Sequence, residues 1–410
     1  MLDQKLNVRK DRSNGAILVG PLPPPTIGQS ISFEMLRDEF SARSLPYWLL
    51  DISGGATSRR DGSFSLGRVI ALMASLCRVT ILPFLRDRNF YLTIAQSWNG
   101  FLRDLWFIAL AKIGRHRIVL HLKGGSYDNF YDSLGNFRKA IVRKTLSCAD
   151  CIIVLGDRLA PMFDFVPDSA EKIIVVSNGC PLPLEALPKN SKHLPSADSN
   201  EPINILYLSN LIDSKGYRDL LQAIAILKHV HKLNIRCRFC GQFLIASDTQ
   251  LFHNSDEAEA DFKTQSKSLD IEDVVTWDGV VTGERKIEAL KEAHFMVLPT
   301  QYNNEGQPVA IIEAMAMGAV VVGSRWRTIP DMLDEGRAGI LVDSSSPLQI
   351  VDAITDATAD PEAYNNISQA GIKHCQVRYS REKHLDELIA AINADSVFAA
   401  EGVENRLESA

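Results

Sequence analysis

No uninterrupted apolar run in this 410-residue chain reaches the roughly 18 residues that a membrane-spanning helix needs. The most apolar region, residues 69–85, is interrupted by Arg78. The N-terminal segment, residues 1–15, is too polar to resemble a secretory signal. We therefore predict a cytoplasmic protein without a transmembrane helix.

An excess of positive charge is also missing. The 44 Lys and Arg residues are outnumbered by 50 Asp and Glu residues, which leaves a net charge of −6. A mildly acidic chain lacks the basic surface of a general nucleic-acid binder, so we expect no nucleic-acid partner. With 46% hydrophobic and 23% charged residues, the chain has the composition of a globular protein, and its length favours two domains.

The seven cysteines are an odd number in a long chain, which disfavours a disulfide framework. Cys148 and Cys151 form one CxxC pair, and Cys237 and Cys240 form another. About 85 residues separate the two pairs, whereas a zinc ribbon uses roughly 15–20. We expect reduced thiols that pack in the interior, and no metal site.

Short apolar runs that suit strands alternate with segments of helical periodicity along the whole chain. In the first half, the predicted strands are residues 16–20, 47–52, 91–95, 118–122, 151–155 and 172–177, and the predicted helices are 31–43, 67–82 and 100–113. In the second half, the predicted strands are 203–209, 235–240, 274–277, 294–298 and 319–323, and the predicted helices are 217–232, 256–268, 284–293 and 308–317. Continuously apolar strands with intervening helices indicate an α/β fold of parallel sheets covered on both faces.

A proline-rich break divides this pattern. Residues 181–202 contain five prolines with polar residues between them and no periodicity, as in an interdomain linker. We predict an N-terminal domain over residues 1–182 and a linker over 183–202. The architecture is then two tandem Rossmann-like, doubly wound domains that face each other across a cleft. A ligand is expected in this cleft, at the carboxyl ends of the strands.

Two loops of the first half are candidates for ligand contact. Gly28 lies in a proline-rich loop between a strand and a helix, where backbone amides favour anions. The alternative is a stiff loop without a ligand. His121 ends the fourth predicted strand and is followed by a Gly-Gly pair, which places a proton donor or acceptor at the cleft. A histidine that only fixes its loop is the alternative there.

Three charged residues of the second half stand at unusual positions. Lys215 precedes a helix N-terminus, where an anionic ligand would compensate for an unfavourable positive charge. A surface lysine in a turn that ends at Gly216 is the alternative. Glu305 lies in the loop before the next helix, where it could instead stabilise the helix dipole. Glu313 lies within an otherwise apolar helix, so it needs a ligand hydroxyl or a backbone partner.

Glu305 and Glu313, seven residues apart in the pattern Glu-Gly-…-Glu-Ala-Met-Ala, resemble the EX7E motif of the retaining glycosyltransferases of family 4. The resemblance extends to residues 177–179, 206–216, 240–242, 277–279 and 336–343. It implies a GT-B fold whose second domain, here residues 203–378, holds a nucleotide-sugar donor. It also implies a helix at 379–395 that crosses back to the first domain, and we expect a flexible tail at 396–410.

The resemblance also implies roles for individual residues. Glu305, Lys215 and His121 would be catalytic: Glu305 would contact sugar hydroxyls, Lys215 would neutralise the diphosphate, and His121 would line the sugar site. The remaining implied donor-binding residues are Glu313 at the ribose, Gly28 at the diphosphate, Val281 near the base, and Asn210, Gly306 and Gln307. The family usually has an arginine at the position of Asn210. We expect either that Arg325 or Arg327 substitutes for this arginine, or that turnover is weak.

The expected function is transfer of a hexose-type sugar (class EC 2.4) from a UDP- or GDP-linked donor to a glycan or lipid-linked saccharide. Polysaccharide or surface glycan biosynthesis is the expected setting. The sequence contains no D-x-D pair, so we expect neither a metal nor another cofactor. The apolar helices 69–85 and 100–113 suggest a peripheral contact with the inner membrane face, with ordinary core helices as the alternative. A nucleotide-sugar epimerase and a weakly active sugar-nucleotide-binding subunit are the alternative functions.

Overall fold

The computed structural model describes residues 15–24, 27–53, 77–85, 88–188, 191–195, 200–246, 248 and 251–393. These residues contain two six-stranded sheets. The first consists of β1 (Ala16–Gly20), β2 (Tyr47–Asp51), β3 (Asn89–Thr93), β4 (Arg117–His121), β5 (Cys151–Val154) and β6 (Ile173–Val175). The second consists of β7 (Ile203–Leu208), β8 (Ile235–Cys240), β9 (Val275–Gly279), β10 (Phe295–Leu298), β11 (Val320–Ser324) and β12 (Ile340–Val342).

Helices connect the strands. In the first half they are α1 (Gly28–Ala42), α2 (Trp98–Ile113), α3 (Tyr127–Asp132), α4 (Asn136–Leu146) and α5 (Ser169–Lys172). In the second half they are α6 (Tyr217–His229), α7 (Ser255–Ser268), α8 (Gly283–Glu292), α9 (Val309–Ala316), α10 (Ile329–Met332), α11 (Pro347–Ala359), α12 (Pro361–Arg378) and α13 (Arg381–Asn393). Short 3₁₀ turns are Leu82–Phe84, Asp157–Phe163, Leu184–Ala186, Asp213–Lys215 and Asp334–Gly336.

All paired strands within each sheet run parallel. The strand orders are β2-β1-β3-β4-β5-β6 and β12-β11-β10-β7-β8-β9. Both orders are doubly wound, with a reversal between β1 and β3 in the first sheet and between β7 and β10 in the second. The predicted α/β class with two doubly wound sheets is confirmed. The domain boundaries drawn from the linker stay predictions.

Several predicted element ends differ from the observed ones. Strand β3 begins at Asn89 rather than at residue 91, because Asn89 is in register with both Ala16 and Arg117 of the neighbouring strands. Helix α6 ends at His229 rather than at residue 232, since Lys232 has a positive φ that no helix continues through. Most of the predicted helix at 67–82 lies outside the described residues.

The last helix, α13, packs on the first sheet. Leu388 and Ile392 lie in one apolar cluster with Phe33 of α1 and Tyr91 of β3. Arg117 of β4 donates from Nη1 to the carbonyls of residues 391 and 392, both at 2.8 Å, which satisfies the end of α13. The C-terminal segment therefore contributes to the core of the N-terminal half.

Within the described part of the chain, no helix combines the length and the apolar character needed to cross a bilayer.

Leu388→Ala tests this packing. Leu388 is fully buried, so its truncation should lower the free energy of unfolding by about 3 kcal/mol. The melting temperature should then fall by about 6–12 °C. The exposed neighbour Glu382→Ala is the matched control and should change stability by less than about 0.5 kcal/mol. Equal effects of the two substitutions in thermal unfolding would contradict the packing of α13 on the first sheet.

Candidate active site

The loop between β10 and α9, residues 299–308, brings Glu305 to Lys215. Glu305 is buried, and its Oε2 lies 3.1 Å from Lys215 Nζ. The ammonium also donates to Ser209 Oγ at 3.1 Å and lies 5.2 Å from the centre of the Tyr302 ring. Lys215 and Glu305, which are 90 positions apart in the sequence, therefore form an ion pair.

The turn after β7 explains how Lys215 reaches this loop. The 3₁₀ turn Asp213–Lys215 ends at Gly216, which has a φ of +75°. A Cβ atom at Gly216 would lie 2.5 Å from the Pro299 carbonyl oxygen, so only glycine fits both the backbone conformation and the space. The turn therefore packs directly against the start of the 299–308 loop.

Glu313 forms the second charge pair. Its carboxylate is 3% exposed, and Oε1 lies 2.5 Å from Lys286 Nζ of α8. Burial raises the pKa of the Glu313 carboxyl group, and the neighbouring Lys286 ammonium opposes that rise. The partner anticipated for Glu313 was a ligand hydroxyl or a backbone group, whereas the described structure supplies a lysine.

The N-termini of α1 and α9 meet beside these pairs. A Cβ atom at Gly28, the first residue of α1, would lie 3.5 Å from Cγ2 of Val309, the first residue of α9. Helix N-termini carry partial positive charge and free amide groups, which favour an anion. Gly28 thus lies where an anionic ligand would meet two helix ends at once.

His121 is completely buried at the end of β4. Its Nδ1 is 2.8 Å from the Tyr91 hydroxyl, and among the described residues its Nε2 has no hydrogen-bond partner. Burial, together with the nearby Lys123 and His384, lowers the pKa of His121 well below its usual value. The imidazole is therefore neutral near pH 7, and it keeps one ring nitrogen available.

Gln307 and Gly306 connect the two halves of the chain. Gln307 accepts from the Asn178 backbone amide at 2.5 Å and donates to the Leu155 carbonyl at 3.1 Å. A Cβ atom at Gly306 would lie 2.6 Å from the Lys123 carbonyl oxygen. Both residues were predicted to bind a donor, and that role stays a prediction. The contacts seen here hold the loop against the first sheet.

Val281 follows β9, at one end of the second sheet, and Asn210 follows β7, in the middle of the same sheet. Val281 is 6% exposed and belongs to the apolar cluster of the second sheet. Asn210 is partly buried, and its carbonyl accepts from the Tyr207 hydroxyl at 3.3 Å. Their predicted contacts with a base and a diphosphate stay predictions.

The two arginines considered as substitutes near Asn210 pair elsewhere. Arg325 is exposed and lies 3.6 Å from Asp343. Arg327 is mostly buried and lies 3.7 Å from Asp128 of the first half, while its Nε has no hydrogen-bond partner among the described residues. Neither arginine has a described ion pair with Glu305.

Sequence reasoning missed Lys286 and Lys123. The sequence spacing between Lys286 and Glu313 does not predict their contact, because the two helices meet only in the tertiary structure. Lys123 lies two residues after His121, and this position beside a candidate site residue was a signal in the sequence. In the structure, its ammonium donates to Ser32 Oγ at 2.9 Å and to Asn178 Oδ1 at 3.0 Å. Burial lowers the pKa of Lys123 to about 7.

Within the part of the chain that the structure describes, no three His, Cys, Asp or Glu side chains converge in a cluster that could hold a metal ion.

A family comparison matches the second half of the chain. Residues 189–374 match the family described as glycosyl transferases group 1. Over these residues, the match confirms the predicted resemblance to glycosyltransferase family 4. The assignment of Glu305 and Glu313 to the EX7E motif stays a prediction.

Two curated relatives are similar over parts of the chain. The amylovoran biosynthesis glycosyltransferase AmsK of Erwinia amylovora is 31% identical over 146 residues, which cover 35% of this chain and 32% of that protein. The D-inositol 3-phosphate glycosyltransferase of Corynebacterium efficiens is 23% identical over 296 residues, which cover 70% of this chain and 66% of that protein. The chain therefore spans about a third of the first relative and just under two thirds of the second.

Among solved structures, Anabaena HepE in complex with UDP and glucose has a similar fold. The TM-score is 0.66 at 12% identity, and the similarity covers 93% of this chain and 100% of the other. At this identity the likeness concerns the fold, and it confirms the GT-B architecture expected from the motifs.

Lys286→Met tests the buried pair with Glu313. Breaking a buried ion pair leaves a carboxylate without its cation, so the free energy of unfolding should fall by about 3–5 kcal/mol near neutral pH. The matched control is Lys228→Met, which breaks the more exposed pair with Asp273 and should cost about 1 kcal/mol or less. The double variant Lys286→Met/Glu313→Gln should recover most of the loss.

The same variant should depend on pH in a defined direction. Loss of Lys286 raises the pKa of Glu313 further above its usual value of 4.5. A carboxyl group with a higher pKa in the folded than in the unfolded chain loses stabilisation as the pH rises through that interval. The melting-temperature deficit should therefore be smaller at about pH 5 than at about pH 8. A deficit that grows on acidification would show that another group controls the effect.

Proposed function

We propose that this chain, a member of the glycosyl transferases group 1 (family 4) with a GT-B fold, is a retaining glycosyltransferase that uses a nucleotide-diphosphate sugar. The acceptor is a glycan or a lipid-linked saccharide. One observation carries the proposal: Lys215, in the turn after β7, forms a buried ion pair with Glu305. Glu305 lies in the loop that leads into α9, whose N-terminus meets that of α1. This arrangement combines a cation and helix dipoles for a diphosphate with a carboxylate for sugar hydroxyls.

Lys215 would neutralise the diphosphate as it leaves. The bond between the anomeric carbon and the diphosphate oxygen breaks, and its electron pair stays on that oxygen. Lys215, with the amides near Gly28, meets the charge that develops there, which is the condition for electrostatic catalysis. The acceptor hydroxyl oxygen forms the new bond to the same face of the sugar, and its proton passes to the departing diphosphate.

The two glutamates and His121 would position the donor. Glu313 would accept hydrogen bonds from the ribose hydroxyls, in exchange for part of its contact with Lys286. Glu305 would hold sugar hydroxyls near the reacting carbon. His121, neutral and with a buried Nε2 free of partners among the described residues, would accept or donate one hydrogen bond to the sugar. No step in this scheme requires a metal ion.

The relatives support a donor class to test first and a biosynthetic setting. A neighbour that binds UDP and glucose supports a UDP-linked sugar as the first donor to test, and a GDP-linked donor is the second. A relative named for amylovoran biosynthesis supports polysaccharide or surface glycan biosynthesis as the setting. The base would pack near Val281, and Asn210, Gly306 and Gln307 would complete the donor site.

A weakly active, nucleotide-sugar-binding subunit is the second candidate function. It is favoured by one observation: Asn210 stands where the family usually has an arginine, and Arg325 and Arg327 pair with Asp343 and Asp128 instead. Donor hydrolysis measured with and without acceptor saccharides separates the candidates. Binding without hydrolysis or transfer supports the subunit, and acceptor-dependent release of the nucleotide supports the transferase.

The nucleotide-binding prediction is tested by thermal shift with UDP, GDP, ADP and their glucose conjugates. A ligand that binds the folded chain at about 100 times its dissociation constant should stabilise it by about 2.7 kcal/mol. Glu313→Gln should reduce this stabilisation, while the surface substitution Lys263→Ala should leave it unchanged. If none of these nucleotides shifts the melting temperature of the natural chain, the donor-site proposal is wrong.

Lys215→Ala tests the leaving-group role. The transfer rate should fall by about 10²–10³-fold, as expected for removal of a group that stabilises developing charge. Lys263→Ala, an exposed lysine that pairs with Glu259, is the control and should keep full activity. Excess chelator should not slow the natural enzyme.

The double variant Lys215→Met/Glu305→Gln removes both charges of the pair and should keep the fold. It should remain as inactive as Lys215→Ala when circular dichroism shows a native structure. A folded double variant with natural activity would exclude the pair from catalysis.

A further inference from the structure

We infer that the outward face of α2 and α4, together with the short turn Leu82–Phe84, docks on a bilayer surface containing anionic phospholipids. This inference concerns a surface away from the donor site and does not depend on the proposed catalysis. We call this surface the α2–α4 face.

Helix α2 is apolar on both sides. Its inward side chains, including Phe101 and Phe107, are buried against the first sheet. Its outward stripe consists of Leu102, Trp106, Ala109 and Ile113, which recur at the spacing of one helix face. Leu102 and Trp106 are each 45% exposed and Ile113 is 67% exposed. A helix on the surface of a globular protein normally has polar residues on this side, so the stripe indicates a contact with an apolar phase.

Neighbouring elements extend the apolar surface. Phe84, in the turn next to α2, is 82% exposed, and Ile81 before it is 45% exposed. Phe137 at the start of α4 is 80% exposed. These three and the three large stripe residues make up six of the 13 exposed large hydrophobic residues of the described chain. Such clustering distinguishes a docking surface from scattered exposed side chains.

The elements face the same direction. Buried residues of α2, of α4 and of the Leu82–Phe84 turn all belong to one core cluster on one side of the first sheet. Arg138 of α4 stacks over Trp98 of α2, with its guanidinium carbon 4.6 Å from the ring centre. Because the helices lie side by side on the same sheet face, their outward sides form a common surface.

Helix α4 adds a concentrated positive charge to this surface. It contains Arg138, Lys139, Arg143 and Lys144 and no acidic residue, in a chain with a net charge of −6. Lys139 pairs with Asp132 at 3.0 Å. No described ion pair engages Arg143 or Lys144, and both are exposed.

A surface cavity of about 470 Å³ lies among these cations. Lys139, Arg143 and Lys144 line it, together with Tyr131, Asn136 and Ser147. Three cations with amide and hydroxyl donors suit a phosphate-bearing headgroup. The cations would therefore bind acidic lipid headgroups while the apolar stripe contacts the acyl chains. Helices that lie in a membrane interface combine these two contacts.

Charge complementarity favours a membrane over a second copy of the chain. A two-fold contact through this face would place the cations of α4 near those of its copy. The acidic residue of α2, Asp104, is 2% exposed and already paired with Arg103, so it offers no compensation. An anionic bilayer satisfies the apolar stripe and the cations together.

The test is co-sedimentation of the full chain with vesicles. Vesicles of phosphatidylcholine alone are compared with vesicles that contain roughly 30% phosphatidylglycerol, at low and high salt. We expect binding to the anionic vesicles, weaker binding to the neutral ones, and a loss of binding at high salt. Arg143→Glu/Lys144→Glu should lower the partition coefficient by at least about 25-fold, since each cation near the surface contributes about fivefold.

Trp106→Ser should lower the same partition coefficient by roughly tenfold through loss of apolar burial. The matched controls are Lys267→Glu/Lys291→Glu, two exposed lysines of the second half, and Val230→Ser, whose side chain is 69% exposed. All controls should bind vesicles like the natural chain. All variants should keep the natural melting temperature and the natural nucleotide shift, which separates this inference from the donor-site proposal.

Four outcomes would overturn the inference. The first is no binding of the natural chain to anionic vesicles, and the second is equal losses in the target and control variants. The third is a dimer in light scattering that Trp106→Ser dissociates, because the α2–α4 face would then bind a second copy. A fall in melting temperature with unchanged vesicle binding would likewise contradict it, because the stripe would then be covered by the chain itself.

Discussion

The loop at residues 299–308 is held from both halves of the chain at once, and the candidate site depends on this constraint. From the second half, Lys215 binds Glu305. From the first half, Asn178 binds Gln307, and the Gly125 amide donates to the Asn304 carbonyl at 3.3 Å. The backbones approach so closely that a side chain at Gly125 would collide with the Glu305 carbonyl. A displacement of either sheet would therefore move the carboxylate that is proposed to face the sugar.

The doubly wound topology explains why this loop can collect its partners. In a parallel sheet all strands end at one edge, and the reversal of strand order opens a crevice there. The second sheet reverses between β7 and β10, whose following turns carry Lys215 and Glu305. The first sheet reverses between β1 and β3. Gly28 follows β1, and His121 is the last residue of β4. Four residues far apart in sequence thus lie along two facing edges.

Burial governs the electrostatics of the region. The Glu313 carboxylate is tolerated in an apolar helix because Lys286 compensates for its lost hydration, and Lys215 does the same for Glu305. His121 is neutral because burial and two neighbouring basic side chains disfavour its charged form. The α2–α4 face shows the opposite arrangement, with exposed cations beside exposed apolar side chains. The charged side chains of the cleft form ion pairs, whereas Arg143 and Lys144 on this surface have no described ion pair.

The sequence by itself determined the two α/β halves, the alternation of strands and helices, and most of the candidate site. Apolar strand runs and helix periodicity report burial directly. Lys215 and Glu313 were recognisable because these charged residues stood where local structure disfavours them, and Glu305 was recognisable by its spacing from Glu313. The partners of these residues were decided only by the tertiary structure. Lys286 meets Glu313, and Gln307 meets Asn178, through the packing of helices and loops that no local spacing encodes. The outward direction of the α2 stripe was likewise undetermined, since an apolar residue in a sequence does not indicate which side of its helix the core will cover.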